Sequence, residues 1–483
     1  MDQNILLMDG TELAAKIKDK DISPVEVLNA FLEQIDRVNP KVNAFCLVLH
    51  EEAMAQAMKA EQDIMAGKAV GPLHGVPIAI KDLTPTKGVR TTFGSRAYSE
   101  NIPTSDAIIV ERFKQAGAIV VGKTNTPEFA HGGITNNLLF GPTKNPWNTE
   151  LISGGSSGGS GAAVATAMVP FAEGTDGGGS IRMPSSANGI YGLKPQFGRI
   201  PVGILETHYE TLLHFGPMTQ TVRDAALLLD IMAGQDERDP LSLPNQENKF
   251  VHSLAGDIKG WKVAFTPDLG YFAVDDEVKK VAYQTAERFE ALGCKVDEIK
   301  LDISDPIETV QNAWLTLWRG LIAGLFGHLV PDENHKLTQY VCDLIENGKR
   351  LTAVEYQKAQ IHRSILWNSL KPTFDEYKIL ITPTLAVPPF KANTYSLGPE
   401  EVDGKMINPY MGWWMTYPFN MTGQPAASIP AGFAASGAPI GMQIIGNRFR
   451  EDEVLLASSV FEQAYPWKNK KPQVSGLLQT TRT

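Results

Sequence analysis

Cysteine is scarce: three occur in 483 residues, Cys46, Cys294 and Cys342, with no C-x-x-C pair among them. That removes zinc-knuckle and thioredoxin-like readings, and no metal site is expected. An odd, sparse set in so long a chain suits a reducing compartment, and the cytoplasm is expected. Long apolar runs are missing too. The most apolar stretch, 312–330, is broken by Arg319 and His328. A charge at the centre of a membrane span costs about 2.5–3.5 kcal/mol, so no span is expected there. The first sixteen residues carry neither a basic region nor a long apolar one, as a secretory leader would. Excess positive charge is absent as well. With 44 Lys and Arg against 54 Asp and Glu, the formal net charge is −10. Nucleic-acid binders and proteins that dock on anionic membranes need a basic face, so neither partner is expected.

What remains is ordinary globular composition, 43% hydrophobic and 20% charged, in a chain long enough for a large core. Ser23, Pro24 and Glu26 form a capping box with Pro at the first helical position. Val27, Leu28, Phe31, Leu32 and Ile35 then share one helical face. A Gly- and Pro-rich stretch follows at 67–77. Beyond it apolar runs alternate with helical patterns. A short buried strand at 77–80 ends at Lys81. A helix over 107–115, closed by Gly117, leads to a strand at 118–121. A strand at 262–265 precedes a helix whose face holds Val278, Val281, Ala282, Phe289 and Leu292. Gly293 closes that helix before a strand at 295–299, and 378–382 reads as one more. This alternation predicts an α/β fold, a mostly parallel or mixed sheet with helices on both faces.

One segment departs from the rest. Residues 154–180 hold nine glycines and four serines in 27 positions. A flexible linker does not need the unbroken small and apolar run at 162–169, which suits a tightly packed buried helix. A phosphate cradle would need a Walker or dinucleotide fingerprint, and neither is present. A nucleophilic serine site fits best. Consecutive amides at Gly177, Gly178, Gly179 and Ser180 can form an anion-binding nest. The base is open at this level. G-x-S-x-G matches twice, centred on Ser156 and Ser157, but it arises easily in any Gly/Ser run, and no later histidine stands in a distinctive loop. A lysine can serve if burial leaves it neutral, and Lys81 stands at the end of an apolar strand.

Six strings taken together resemble the amidase signature enzymes: G-V-P-I-A-I-K-D at 75–82, G-K-T-N-T-P-E at 122–128, G-G-S-S-G-G-S at 154–160, G-T-D-G-G-G-S-I-R-M-P at 174–184, G-L-K-P at 192–195 and P-F-N-M-T-G-Q-P-A at 418–426. The resemblance covers 11–472. It implies a central mixed sheet sandwiched between helices, with an N-terminal helical segment over 1–65, the signature domain over 66–472 and a polar tail over 473–483. It implies Lys81 as base, Ser156 as bridging serine after a cis peptide, and Ser180 as nucleophile. The amides of Gly177, Gly178, Gly179 and Ser180 would form the oxyanion hole. Asp176 and Arg182 would be a buried pair shaping the loop, and Ser157 would orient the site. No cofactor is implied. Two positions depart from the family's pattern. Gly177 stands where a larger residue is common, which loosens the loop, and Gln196 follows G-L-K-P in place of Thr.

The implied activity is hydrolysis of carboxamide C–N bonds through an acyl-enzyme, with carbamates (a urethanase activity) or esters open to the same site. The alternative is an amidotransferase A-type subunit that releases ammonia for a partner. The absence of that subunit's S-N-x-x-x-x-D-G-x-x-Y-G string favours a free-standing hydrolase, with nylon-oligomer, aryl-amide and carbamate hydrolases the nearest in pattern. Ala130, His131 and Gly132 fall near the acyl pocket by motif position, with His131 expected to be a hydrogen-bonded structural residue. Trp314, Leu317, Trp318 and Leu321 recur at helical spacing and read as core. Tyr410, Trp413, Trp414, Tyr417 and Phe419 cluster after a loop, and Trp413 and Trp414 are expected to line an apolar or aromatic substrate site. The partner is thus a small amide substrate, on a monomer or homodimer.

Overall fold

The computed structural model describes residues 3–392 and 397–477. Eleven strands form one mixed sheet among the described residues: β1 (Phe45–Val48), β2 (Pro77–Lys81), β3 (Ile119–Thr124), β4 (Phe171–Asp176), β5 (Tyr191–Lys194), β6 (His214–Thr219), β7 (Lys262–Phe265), β8 (Lys295–Glu298), β9 (Ile379–Pro383), β10 (Ala426–Phe433) and β11 (Pro439–Gly446). Their spatial order is β1-β3-β2-β4-β6-β5-β10-β11-β9-β7-β8. Helices flank the sheet. Parallel pairs lie at β3-β2-β4 and β9-β7-β8, and the middle strands are antiparallel.

The Ser23 box forms as the sequence predicts. Ser23 Oγ accepts the Val25 N–H and Glu26 accepts the Ser23 N–H. The helix Pro24–Val42 then buries Val27, Leu28, Phe31, Leu32 and Ile35. That helix is followed by β1, an antiparallel partner of β3 that no sequence pattern marked. The other predicted strands are found within a few residues of their expected ends. Of the predicted tail, residues from 478 onward lie outside the described residues.

The small-residue run folds differently from its expectation. Its helix is Gly158–Ala165, beginning and ending four residues earlier than the apolar run suggests. Thr166 closes it by turning its hydroxyl back onto the Ala162 carbonyl at 2.7 Å, and Ala167, at φ 53°, turns the chain toward β4. Three glycines sit inside this helix because neighbouring groups leave no room for side chains. A Cβ on Gly159 would stand 2.4 Å from the Asn125 nitrogen and 2.5 Å from the Ala44 oxygen. Close approach outweighs glycine's poor helix propensity here. β2 and β4 run parallel and adjacent, so their C-terminal ends, Lys81 and Asp176, open on the same edge of the sheet. That edge is where α/β sheets place their chemistry.

Gly159→Ala is expected to lower unfolding free energy by about 1–3 kcal/mol through overpacking, read as a lower urea midpoint at unchanged slope. Gly324→Ala, where a Cβ meets nothing within 4 Å, is expected to raise stability by about 0.5–1 kcal/mol.

Candidate active site

Lys81 is fully buried. Its Nζ lies 2.7 Å from Ser156 Oγ, 2.9 Å from Ser157 Oγ and 2.8 Å from Thr175 Oγ1. Burial pulls the amine down to about 7, against the opposing pull of Glu173 and Asp176. A neutral amine has two N–H donors and one lone pair. With three hydroxyls around it, one of them must donate. Ser157 directs its proton to the Thr175 carbonyl at 3.3 Å. Of the remaining two, Ser156 stands marginally closer to Nζ, at 2.7 Å against 2.8 Å for Thr175. Glu173, on the same strand as Thr175, accepts the Lys81 backbone N–H and the Thr84 hydroxyl through Oε1, and burial raises its carboxyl.

The Gly155–Ser156 peptide is cis. Gly155 is pressed onto neighbouring backbone, and a Cβ there would come within 2.8 Å of the Gly132 oxygen and the Ile134 nitrogen. Of residues 130–132, Gly132 is thus brought directly against the cis peptide, with Gly133 and Ile134. Ser180 follows the glycine loop and is 9% exposed, against 1% for Ser156. Its carbonyl accepts the Ser157 N–H at 3.2 Å, tying the two segments together. No hydrogen bond joins the Ser156 and Ser180 hydroxyls among the described residues. The structure thus puts Lys81 and Ser156 in direct contact and holds Ser180 beside them through backbone.

Every carbonyl of the loop 176–180 has a partner. Asp176 O accepts Asn420 Nδ2 at 2.9 Å, Gly177 O accepts the Trp314 indole N–H at 3.0 Å, Gly178 O accepts the Thr416 hydroxyl at 2.6 Å and Gly179 O accepts the Met183 N–H at 2.7 Å. In a trans peptide the N–H points opposite to the C=O, so these bonds orient the amides. Of the four amides expected to form the oxyanion hole, that of Gly179 donates to Asp176 Oδ1 at 2.7 Å. Those of Gly177, Gly178 and Ser180 have no protein partner among the described residues.

Asp176 and Arg182 form the buried pair the sequence predicts, bidentate at 3.0 Å on both arms. Arg182 also reaches the Thr416 carbonyl, Gln443 and Asn420. Burial alone would raise the Asp176 carboxyl, but Arg182 and Asn420 hold it below the ordinary carboxylate range. Sequence reasoning assigned no role at the loop to Thr175, Trp314, Thr416 or Asn420. Thr175 and Asn420 lie inside quoted strings, whereas Trp314 and Thr416 carried no signal beyond a Trp pair at helical spacing.

That pair is buried, as core would be, but it packs on the glycine loop. Trp314 and Trp318 stack at 5.3 Å and 12°, and Trp314 meets Trp414 edge-on at 6.0 Å. Trp318 donates its N–H to His131 Nδ1 at 2.7 Å, and the Tyr410 hydroxyl lies 3.0 Å from Nε2. Burial and nearby Arg319 push His131 down to about 3, so it stays neutral. Ala130 (φ 54°) and Gly132 (φ 116°) turn the chain on either side of it. Trp413 donates to the Pro409 carbonyl, and the Trp414 indole nitrogen is buried without a partner among the described residues. Trp314, Trp318, Tyr410, Trp413 and Trp414 therefore form one cluster next to His131, whereas Tyr417 packs on Phe272. Among the described residues no group of three or more His, Cys, Asp or Glu could hold a metal ion, and no helix is long and apolar enough to cross a membrane.

Comparison with known proteins shows the family of the chain. The amidase family model matches residues 26–455. An acylamidase of Rhodococcus erythropolis is 39% identical over 98% of both chains. The A-type subunit of a glutamyl-tRNA(Gln) amidotransferase from Cyanothece sp. is 35% identical over 96% of this chain and 99% of its own. Among solved structures, a bacterial aryl acylamidase of the amidase signature family superposes with a TM-score of 0.92 at 33% identity, over 97% of this chain and 98% of its own. The chain belongs to the amidase signature family and is an amidase, an enzyme that hydrolyses amide bonds.

Asp176→Ala would leave the Arg182 charge buried and unpaired, and is expected to cost about 3–5 kcal/mol of stability in denaturant unfolding.

Proposed function

We propose that this amidase uses Ser180 as nucleophile, Ser156 as proton bridge and Lys81 as base, on acyl amides and anilides of small apolar or aromatic substrates. The observation that carries the reading is the buried Lys81 amine, drawn down to about 7, at 2.7 Å from the Ser156 hydroxyl. Ser180 Oγ attacks the carbonyl carbon while its proton passes to Ser156 and that of Ser156 to Lys81. The oxyanion falls among the free amides of Gly177, Gly178 and Ser180, where one such donor is worth about 10²–10³ in rate. The C–N bond breaks as Lys81 returns its proton through Ser156 to the leaving amine. Water then cleaves the acyl-enzyme by the same relay. The Ser156–Ser180 contact closes when substrate binds, as catalytic hydrogen bonds commonly do. The likeness to acylamidases and the aromatic cluster beside the loop favour an apolar or aromatic substrate. Carbamates and esters suit the same acyl-transfer chemistry.

A second reading is an amidotransferase A-type subunit that releases ammonia for a partner, favoured by the 35% identity to a protein of that kind. The purified chain alone, offered a simple anilide, separates the two. Turnover with release of the aryl amine supports the hydrolase, and activity only on glutamine with a partner present supports the transfer role.

Because the neutral amine is the active form, kcat/KM should rise with pH through about 7 and fall about tenfold per unit below it. Lys81→Ala is expected to lose about 10²–10⁴ in kcat. Lys81→Arg, whose guanidinium stays protonated, should do no better. An acid limb and turnover that survive in Lys81→Ala would refute the base assignment.

A further inference from the structure

We propose that Trp314 is a positioning residue of the oxyanion loop: through the Gly177 carbonyl, its indole N–H aims the Gly178 amide at the substrate's carbonyl oxygen. The inference rests on the reading of Ser180 as nucleophile.

The loop carries an extra glycine at 177, and glycine loses the most conformational freedom on ordering. Its backbone does not require glycine, since Gly177 and Gly178 have no positive φ. Space requires it. A Cβ on Gly177 would stand 2.5 Å from Trp318 Cζ3, and one on Gly178 would stand 2.8 Å from Trp314 Cζ2. The stacked indoles thus occupy the volume that two side chains would fill and limit the loop from outside.

The hydrogen bonds divide the work among the peptide planes. The 178–179 plane is held on both sides, by the Thr416 hydroxyl at its carbonyl and by Asp176 at its N–H. The 176–177 plane is held at its carbonyl by Asn420 and lies within reach of His214. The 179–180 plane is tied into the start of the next helix by Met183. The 177–178 plane has one tie among the described residues, the 3.0 Å bond from Trp314. Its N–H is one of the three left free. Trp314 comes from the helix Ile307–Phe326, far from the glycine loop in sequence. It is itself fixed, stacked on Trp318, which His131 holds through the Trp318 N–H. Losing this bond keeps the Gly178 donor but frees the plane to rotate.

The test replaces Trp314 by Phe and, separately, by β-(3-benzothienyl)alanine, which keeps the bicyclic shape and lacks the N–H. Anilide kinetics, the melting transition and the Ki of phenylboronic acid are measured on the full chain. The boronate forms a tetrahedral adduct on a serine and places an oxygen in the nest. Both variants are expected to lose about 10–100-fold in kcat, less than outright loss of a donor, with KM within about twofold. The boronate Ki should rise in parallel while the benzothienyl variant melts as the wild type does. A benzothienyl variant that keeps kcat and boronate Ki within about twofold of wild type overturns the proposal, whatever happens to Trp314→Phe. Ser180→Ala tests the underlying reading separately. It should abolish tight boronate binding, and retained binding there would remove Ser180 as nucleophile.

Discussion

Everything at the centre of this protein turns on an amine kept out of water. Among the described residues no carboxylate pairs with Lys81. Its Nζ meets three hydroxyls, and its environment favours the uncharged form. A lysine in solvent would be protonated at neutral pH and useless as a base. The fold supplies the dry setting by ending β2 beside β4 and pressing the Gly158–Ala165 helix against backbone. The glycines of that helix serve packing before they serve chemistry.

The second constraint is the orientation of the glycine loop. A chain of glycines loses the most conformational freedom on ordering, yet each carbonyl here meets a donor, those of Asp176, Gly177 and Gly178 from residues distant in sequence and that of Gly179 from nearby Met183. Asp176 and Arg182 anchor the arrangement. Arg182 links the loop to Asn420, Gln443 and the Thr416 carbonyl, so the buried charge pair organises a network and is fully hydrogen-bonded. The amides of Gly177, Gly178 and Ser180 are left without a protein partner among the described residues, while the carbonyls of the loop are all taken.

Much of this could be read from sequence. The parallel strands β2, β3, β7 and β9 are apolar runs between helical patterns, whereas β8, K-V-D-E at the sheet edge, is mostly exposed and is marked by the Gly293 helix stop before it. The inner antiparallel strands are less visible. β6 contains Gly216 and Pro217, and β10 contains Pro430 and Gly432, residues that ordinarily argue against a central strand. They are tolerated where chains approach closely: a Cβ on Gly216 would stand 2.0 Å from the Leu193 oxygen. At the site, Lys81, Ser156 and Ser180 are legible because their strings are distinctive. Trp314 and Thr416 are not, because their partners are loop carbonyls more than a hundred residues away. Such contacts leave no local pattern. Gly177, expected to loosen the loop, instead faces Trp318, which occupies the space a side chain would take.

The charge of Lys81 decides whether the proposed relay can run. Carbon-detected NMR of the lysine Cε shifts in the Ser180→Ala variant, with Lys81 assigned by its loss in Lys81→Met, follows that charge without turnover. A titration midpoint near 7 is expected. A midpoint near the ordinary lysine value of about 10.4 would mean the amine is protonated at neutral pH, and the proton relay would have no acceptor.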